Sequence, residues 1–109
     1  MKVRALVYDD KFLKNADDSF FDELIHLKEP IPMNIKVILM DYVSNFNSKR
    51  SNAMGDDEDF RKKVREERVV SRKLSPIEAR EYHNDLALEF IKKHPKFAPI
   101  IKEIKYIEI

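Results

Sequence analysis

Three carboxylates sit where a divalent cation would find ligands. Asp9 and Asp10 follow the apolar stretch Lys2–Tyr8, and Asp41 comes late in the apolar run Ile35–Val43. If both stretches are strands lying parallel and adjacent, all three acids reach one sheet edge, where α/β ligand sites form. Hard cations take carboxylate oxygens, so Asp9, Asp10 and Asp41 could hold Mg²⁺ for phosphotransfer or hydrolysis. The simpler account makes Asp9 and Asp10 the start of a turn and Asp41 an edge or interface residue.

A second constellation is basic. Residues 49–73 carry nine cations and six acids, whereas the rest of the chain is acidic or balanced. Lys49, Arg50, Arg61, Lys62, Lys63, Arg65, Arg68, Arg72 and Lys73 are candidates for phosphate contacts, and Phe46 and Phe60 could stack on exposed bases. Acids are interleaved with them, including the run Asp56–Asp59. A solvated face with internal ion pairs therefore competes with a nucleic-acid surface, and a protein partner is the third option. The histidines, His26, His83 and His94, are far apart in sequence. A half-buried, hydrogen-bonded state suits His83 better than a catalytic one, because no nucleophile is spaced to partner it.

Composition excludes several chemistries. There is no cysteine, which removes disulfides, thiolate nucleophiles and zinc–thiolate sites. The single glycine, Gly55, cannot build a phosphate-cradling loop, which needs several residues able to take positive φ beside the ligand. The formal net charge of +1 argues against a global electrostatic partner, so any basic footprint is local. No window approaches the roughly 20 apolar residues of a membrane span, and the N-terminus does not read as a signal peptide. A soluble, intracellular, cytoplasmic protein without a membrane partner is expected.

The elements that must position these groups follow from pattern. Lys2–Tyr8 alternates as a first strand. Asp17 or Asp18 caps a helix reaching about Lys28, with Phe20, Phe21, Leu24, Ile25 and Leu27 as its apolar stripe. Pro30 and Pro32 end it and force an extended entry to Ile35–Val43, whose β-branched and aromatic content reads as a strand. Residues 44–60 form an exposed loop or arm. Phe60–Leu74 reads as a helical turn or two, then a strand near Glu67–Lys73. Ser75 caps a helix with Pro76 at its first position and Glu78 closing the box, and Pro95 ends it. Ala79, Tyr82, Leu86 and Phe90 are its expected stripe. Residues 100–109 alternate as a closing strand.

The whole is expected to be one α+β domain over residues 1–109, a two-layer sandwich. The ferredoxin-like β-α-β-β-α-β order is favoured and a three-stranded α/β sheet is the alternative. In the favoured topology Ile35–Val43 is an apolar edge, which predicts pairing with a second copy, a homodimer. The leading functional expectation is a small non-enzymatic binding or regulatory module, cofactor-free. It engages nucleic acid or a protein through residues 45–73. The rivals are a Mg²⁺-dependent enzyme using Asp9, Asp10 and Asp41, and a structural subunit of a larger assembly.

Overall fold

The computed structural model describes residues 2–108. Its first strand, β1 (Lys2–Tyr8), leads into short helices α1 (Asp10–Asn15) and α2 (Asp18–Ile25). Helices α3 (Met33–Met40), α4 (Phe46–Met54), α5 (Glu58–Arg72) and α6 (Pro76–Lys93) follow. A 3₁₀ turn (Pro95–Ile100) then delivers the chain into β2 (Ile101–Glu108). Ile109, the last residue of the expected closing strand, lies outside the described residues.

Helix starts obey the capping rule. Asp9, Asp17, Asp57 and Ser75 each accept, through a side-chain oxygen, the N–H three residues on, at 3.0–3.2 Å. Each such cap satisfies an otherwise orphaned donor and stabilises its helix by about 1 kcal/mol. Helix α3 begins differently, at Pro32, which has no side chain to offer. Its first N–H, that of Met33, donates instead to Glu67 Oε1 of α5 (3.2 Å). The chain reverses between α3 and α4 through Asn45 in the left-handed region (φ 58°), and between α4 and α5 through Gly55 (φ 61°, ψ −133°). The only glycine thus stands where a Cβ would be strained.

The expected sandwich is not what forms. The fold is α-rich, and among the described residues its sheet has two strands, β1 and β2, paired antiparallel from Lys2↔Glu108 to Tyr8↔Ile101 with a register shift between Val7 and Tyr8 that leaves Lys102 as the extra residue. Neither the ferredoxin-like order nor the three-stranded alternative survives. Ile35–Val43 is mostly helical: Ile35 and Leu39, one turn apart, are fully buried, while Val37 between them is 56% exposed. A strand would have put all three on one face. The segment is apolar on every side, so neither period stands out, and its β-branched content misled because packing overrides propensity. The expected loop at 44–60 holds α4 and the start of α5, and the expected strand at Glu67–Lys73 is the end of α5.

The core joins Leu13, Phe21, Leu24, Ile25, Ile31, Ile35, Leu39, Phe46, Ala87, Phe90, Phe97 and Ile100. Helix α6 is rotated from the expected stripe. It buries Asn84, Ala87 and Phe90, leaving Tyr82 and Leu86 partly exposed. Asn84 is the polar joint of this layer. Its Oδ1 accepts from Asn34 of α3 (2.7 Å), and its Nδ2 donates to the Arg4 carbonyl of β1 (2.9 Å). Arg4 donates its N–H to Glu81 Oε1 (2.9 Å), its Nε to Glu81 Oε2 (2.7 Å), and an amino group to Asp85 (2.5 Å).

Truncation distinguishes the helix from the strand at residues 33–43. Ile35→Ala and Leu39→Ala should each cost about 2–4 kcal/mol in denaturant unfolding, and Val37→Ala no more than about 0.5 kcal/mol.

Candidate functional site

Helices α3, α4 and α5 enclose a cleft of about 360 Å³ lined by Ile31, Lys36, Asn47, Arg50, Ser51, Phe60, Arg61, Val64, Arg65 and Arg68. Five of these are cations and none is a carboxylate. The α5 contribution follows from helix geometry: positions 61, 65 and 68 recur at one-turn spacing and share a face. Glu66 and Glu67 turn to the opposite flank, where with Lys63, Glu29 and Glu89 they line a separate, more acidic groove against α6. The interleaving that looked self-neutralising in sequence is sorted by the helix into two sides.

The cleft's cations are held in different states. Arg61 pairs with Asp56 (2.9 Å) and, more distantly, Glu58 (3.9 Å). Among the described residues, no ion pair engages Lys36, Arg65 or Arg68. Burial holds the Lys36 ammonium below the usual lysine range; nearby Arg68 pushes it the same way, Glu67 pulls against them, and Arg50 adds the smallest push downward. Like charges crowding a lysine mark a place where an anion would relieve repulsion.

Arg50 is the buried wall of the cleft, 2% exposed. One amino nitrogen donates to the carbonyls of Leu24 and Ile25 (both 2.8 Å), and the other to that of Glu29. Its guanidinium carbon lies 5.3 Å from the centroid of the Phe60 ring, a cation–π contact across the α4–α5 gap. Burial lowers its pKa to about 10, which leaves it charged at neutral pH. Its Nε is buried with no hydrogen-bond partner.

The basic candidates therefore separate. Arg61, Arg65 and Arg68 converge on the cleft with Arg50, whose donors are largely committed to the fold. Lys49 is exposed and lines a different groove with Asp41 and Tyr42. Lys62, Arg72 and Lys73 are exposed on α5 and its C-cap, outside the cleft, and Lys63 faces the acidic groove. Phe46 is a core residue, 1% exposed, so only Phe60 of the two proposed stacking rings stands at the cleft. Lys36 was missed because the run containing it reads as a strand. Its place one residue from Ile35, inside an otherwise apolar turn, was the available signal.

The carboxylates are engaged locally. Asp9 caps α1. Asp10 accepts from the Tyr42 hydroxyl and pairs with Lys14 (3.0 Å). These bonds pull the Asp10 carboxyl below its ordinary range, the Tyr42 bond most, and the same bond pushes the Tyr42 phenol well above its own. Asp41 is the exposed C-cap of α3, not a strand end, so the parallel-strand geometry expected to gather the three acids is absent. Among the described residues, no group of three or more Asp, Glu or His side chains stands together as a cation site. His83 is half-buried with Nδ1 2.9 Å from Glu67 Oε1, His94 bonds Glu29, and His26 lies exposed against the Asp22 carbonyl.

Comparison with protein families, with characterised proteins and with solved structures finds no match to this chain.

Arg50 should behave as a structural residue. Arg50→Met removes a donor from the carbonyls of Leu24, Ile25 and Glu29, of which Leu24 keeps the Leu27 N–H, and should lower unfolding free energy by about 3 kcal/mol or more. Arg50→Lys should lower it by at least about 2 kcal/mol, because an ammonium cannot reproduce the planar fork. Lys62→Ala, measured in the same denaturant titration, should stay within about 0.5 kcal/mol.

Proposed function

We propose that the chain is a small, non-enzymatic cytoplasmic binding module that takes single-stranded nucleic acid in the α3–α4–α5 cleft. The observation that carries this reading is the lining itself: five cations and no carboxylate in a chain whose net charge is only +1. A local concentration of cations in a nearly neutral protein favours a specific anionic ligand over a non-specific electrostatic surface. Lys36, Arg65 and Arg68 supply charge that no ion pair among the described residues consumes, and Phe60 supplies an aromatic edge beside it. The concave site suits an extruded nucleotide or a single-strand backbone better than a rigid duplex, since its volume lies in the range of small-ligand pockets. Arg50 acts here as the fixed positive wall that sets the field of the cleft.

No helix among the described residues is long and apolar enough to cross a membrane. The reading includes a homodimer, for which Ile35–Val43, being mostly helical, supplies no edge strand.

Fluorescence anisotropy of a labelled single-stranded oligonucleotide tests the reading. Affinity should fall linearly in log K against log salt, and Arg65→Ala with Arg68→Ala should weaken binding and reduce the slope by about 0.7 per lost phosphate contact. Lys62→Ala and Lys73→Ala, outside the cleft, should change little. No binding at low salt, or binding indifferent to Arg65 and Arg68, overturns the proposal. Preferential capture of an acidic peptide would assign the cleft to a protein partner instead.

The depressed Lys36 ammonium adds a pH signature. Deprotonation removes its charge at a lower pH than an ordinary lysine requires, so affinity should begin to fall at a lower pH than an ordinary lysine in the cleft would give. Lys36→Arg should bind at least as tightly at neutral pH and lose that alkaline decline.

A further inference from the structure

The two-stranded sheet is closed on one edge and open on the other. The outer edge of β1 is finished by α6: the Arg4 N–H donates to Glu81 and the Arg4 carbonyl accepts from Asn84. Among the described residues the outer edge of β2 has no strand beside it, and β2 packs extensively only against β1. Every residue from Lys102 to Glu108 is exposed, and Ile104, Tyr106 and Ile107 remain 40%, 66% and 44% accessible. A long apolar edge of this kind is a template for another strand.

The backbone restricts what can add. Both polar groups of Arg4 face α6, so Arg4 and its partner Tyr106 form a non-hydrogen-bonded pair of the β1–β2 ladder. By the alternation of an antiparallel ladder, Ile104 and Tyr106 then turn their N–H and C=O groups outward, while Glu103, Lys105 and Ile107 turn theirs toward β1; a register shift at Lys102, between the Val7–Glu103 and Tyr8–Ile101 pairs, ends the alternation there. An added strand must meet the first set.

We propose that the occupant is a second copy of this chain, with β2 paired antiparallel to the partner's β2 about a two-fold axis at Ile104. That register places Ile104 against the partner's Ile104, and the bulge at Lys102 leaves Ile101 and Lys102 outside the regular ladder. Glu103 faces the partner's Lys105, and Lys105 the partner's Glu103. Within one chain these two side chains already lie 3.8 Å apart along the strand, and in the pair they are exchanged crosswise. Other centres that keep the outward groups matched are worse. An axis at Glu103 sets the two copies' Glu103 face to face, an axis at Lys102 or Lys105 sets identical lysines face to face, and an axis at Tyr106 sets Ile104 against Glu108. The result is a continuous four-stranded sheet, β1–β2 joined to the partner's β2–β1, an isologous interface. It includes no residue of the cationic cleft and stands independently of the nucleic-acid reading.

Sedimentation equilibrium of the full chain tests it. The expected mass is twice 13.0 kDa at about 100 μM, and each charge occurs in two cross-strand pairs of the symmetric interface. Glu103→Lys alone, or Lys105→Glu alone, makes both pairs like-charged and should raise the dissociation constant about tenfold. The double exchange Glu103→Lys/Lys105→Glu restores opposite charges and should return it to within about twofold of the original. Ile104→Lys, which brings two lysines onto the axis, should give monomer, with circular dichroism confirming that the helices are intact. A wild-type chain at 13.0 kDa under these conditions overturns the proposal. So does a dimer indifferent to Ile104→Lys, or one that the double exchange fails to rescue.

Discussion

The guanidinium of Arg50 is the constraint around which the helical layer is arranged. Helix α2 ends at Ile25 with its last carbonyls pointing at the interior, and a helix C-terminus buried without partners is not stable. Arg50 reaches in from α4, satisfies Leu24 and Ile25, and with its other arm fixes the Glu29 carbonyl in the turn toward α3. Positive charge at the end of α2 also complements the helix dipole. Helix α4 has no apolar stripe and buries only Phe46 and Arg50, so these two residues hold it in place. Burying a cation is costly in isolation, and here the carbonyl oxygens and the Phe60 ring supply the compensation.

Glu67 does for α5 what Arg50 does for α4. Helix α5 has no fully buried residue, yet it must stay docked for the cleft to exist. One oxygen, Glu67 Oε1, accepts the Met33 N–H at the start of α3 and contacts the His83 ring of α6. It thereby ties three helices at a point where Pro32 has left α3 without a side-chain cap. Polar fasteners at helix ends, with a modest apolar core, define the relative placement of α3, α4, α5 and α6. Of the cleft's cations, Arg50 also holds the fold together, whereas among the described residues Lys36, Arg65 and Arg68 are engaged by no ion pair.

What could be read from sequence depended on whether a segment carried a local signature. The strands β1 and β2 and helices α2 and α6 were legible because alternation, an Asp or Ser cap and a terminating proline are local chemistry. Ile35–Val43 was misread because apolarity on every face erases period. Residues 44–60 were misread for the opposite reason, since α4 has no apolar stripe and its anchor is a buried arginine that looks like a surface residue in a list of charges. Losing those helices changed the fold class, and with it the sheet edge that was to gather Asp9, Asp10 and Asp41.

The basic segment is not an arm but holds helices α4 and α5. Read linearly, its acids fall among its bases and argue for neutralisation. Wound at 3.6 residues per turn, Arg61, Arg65 and Arg68 align on one side of α5, and Glu66 and Glu67 leave for the other. Charge sorting of this kind needs no apolar periodicity and is invisible to a test for it. It does, however, require the helix to run unbroken to Arg72, and a strand beginning at Glu67 would have separated Arg68 from Arg61 and Arg65. Helicity between Glu58 and Arg72 is therefore the step that turns a balanced stretch of charges into a cleft with one sign.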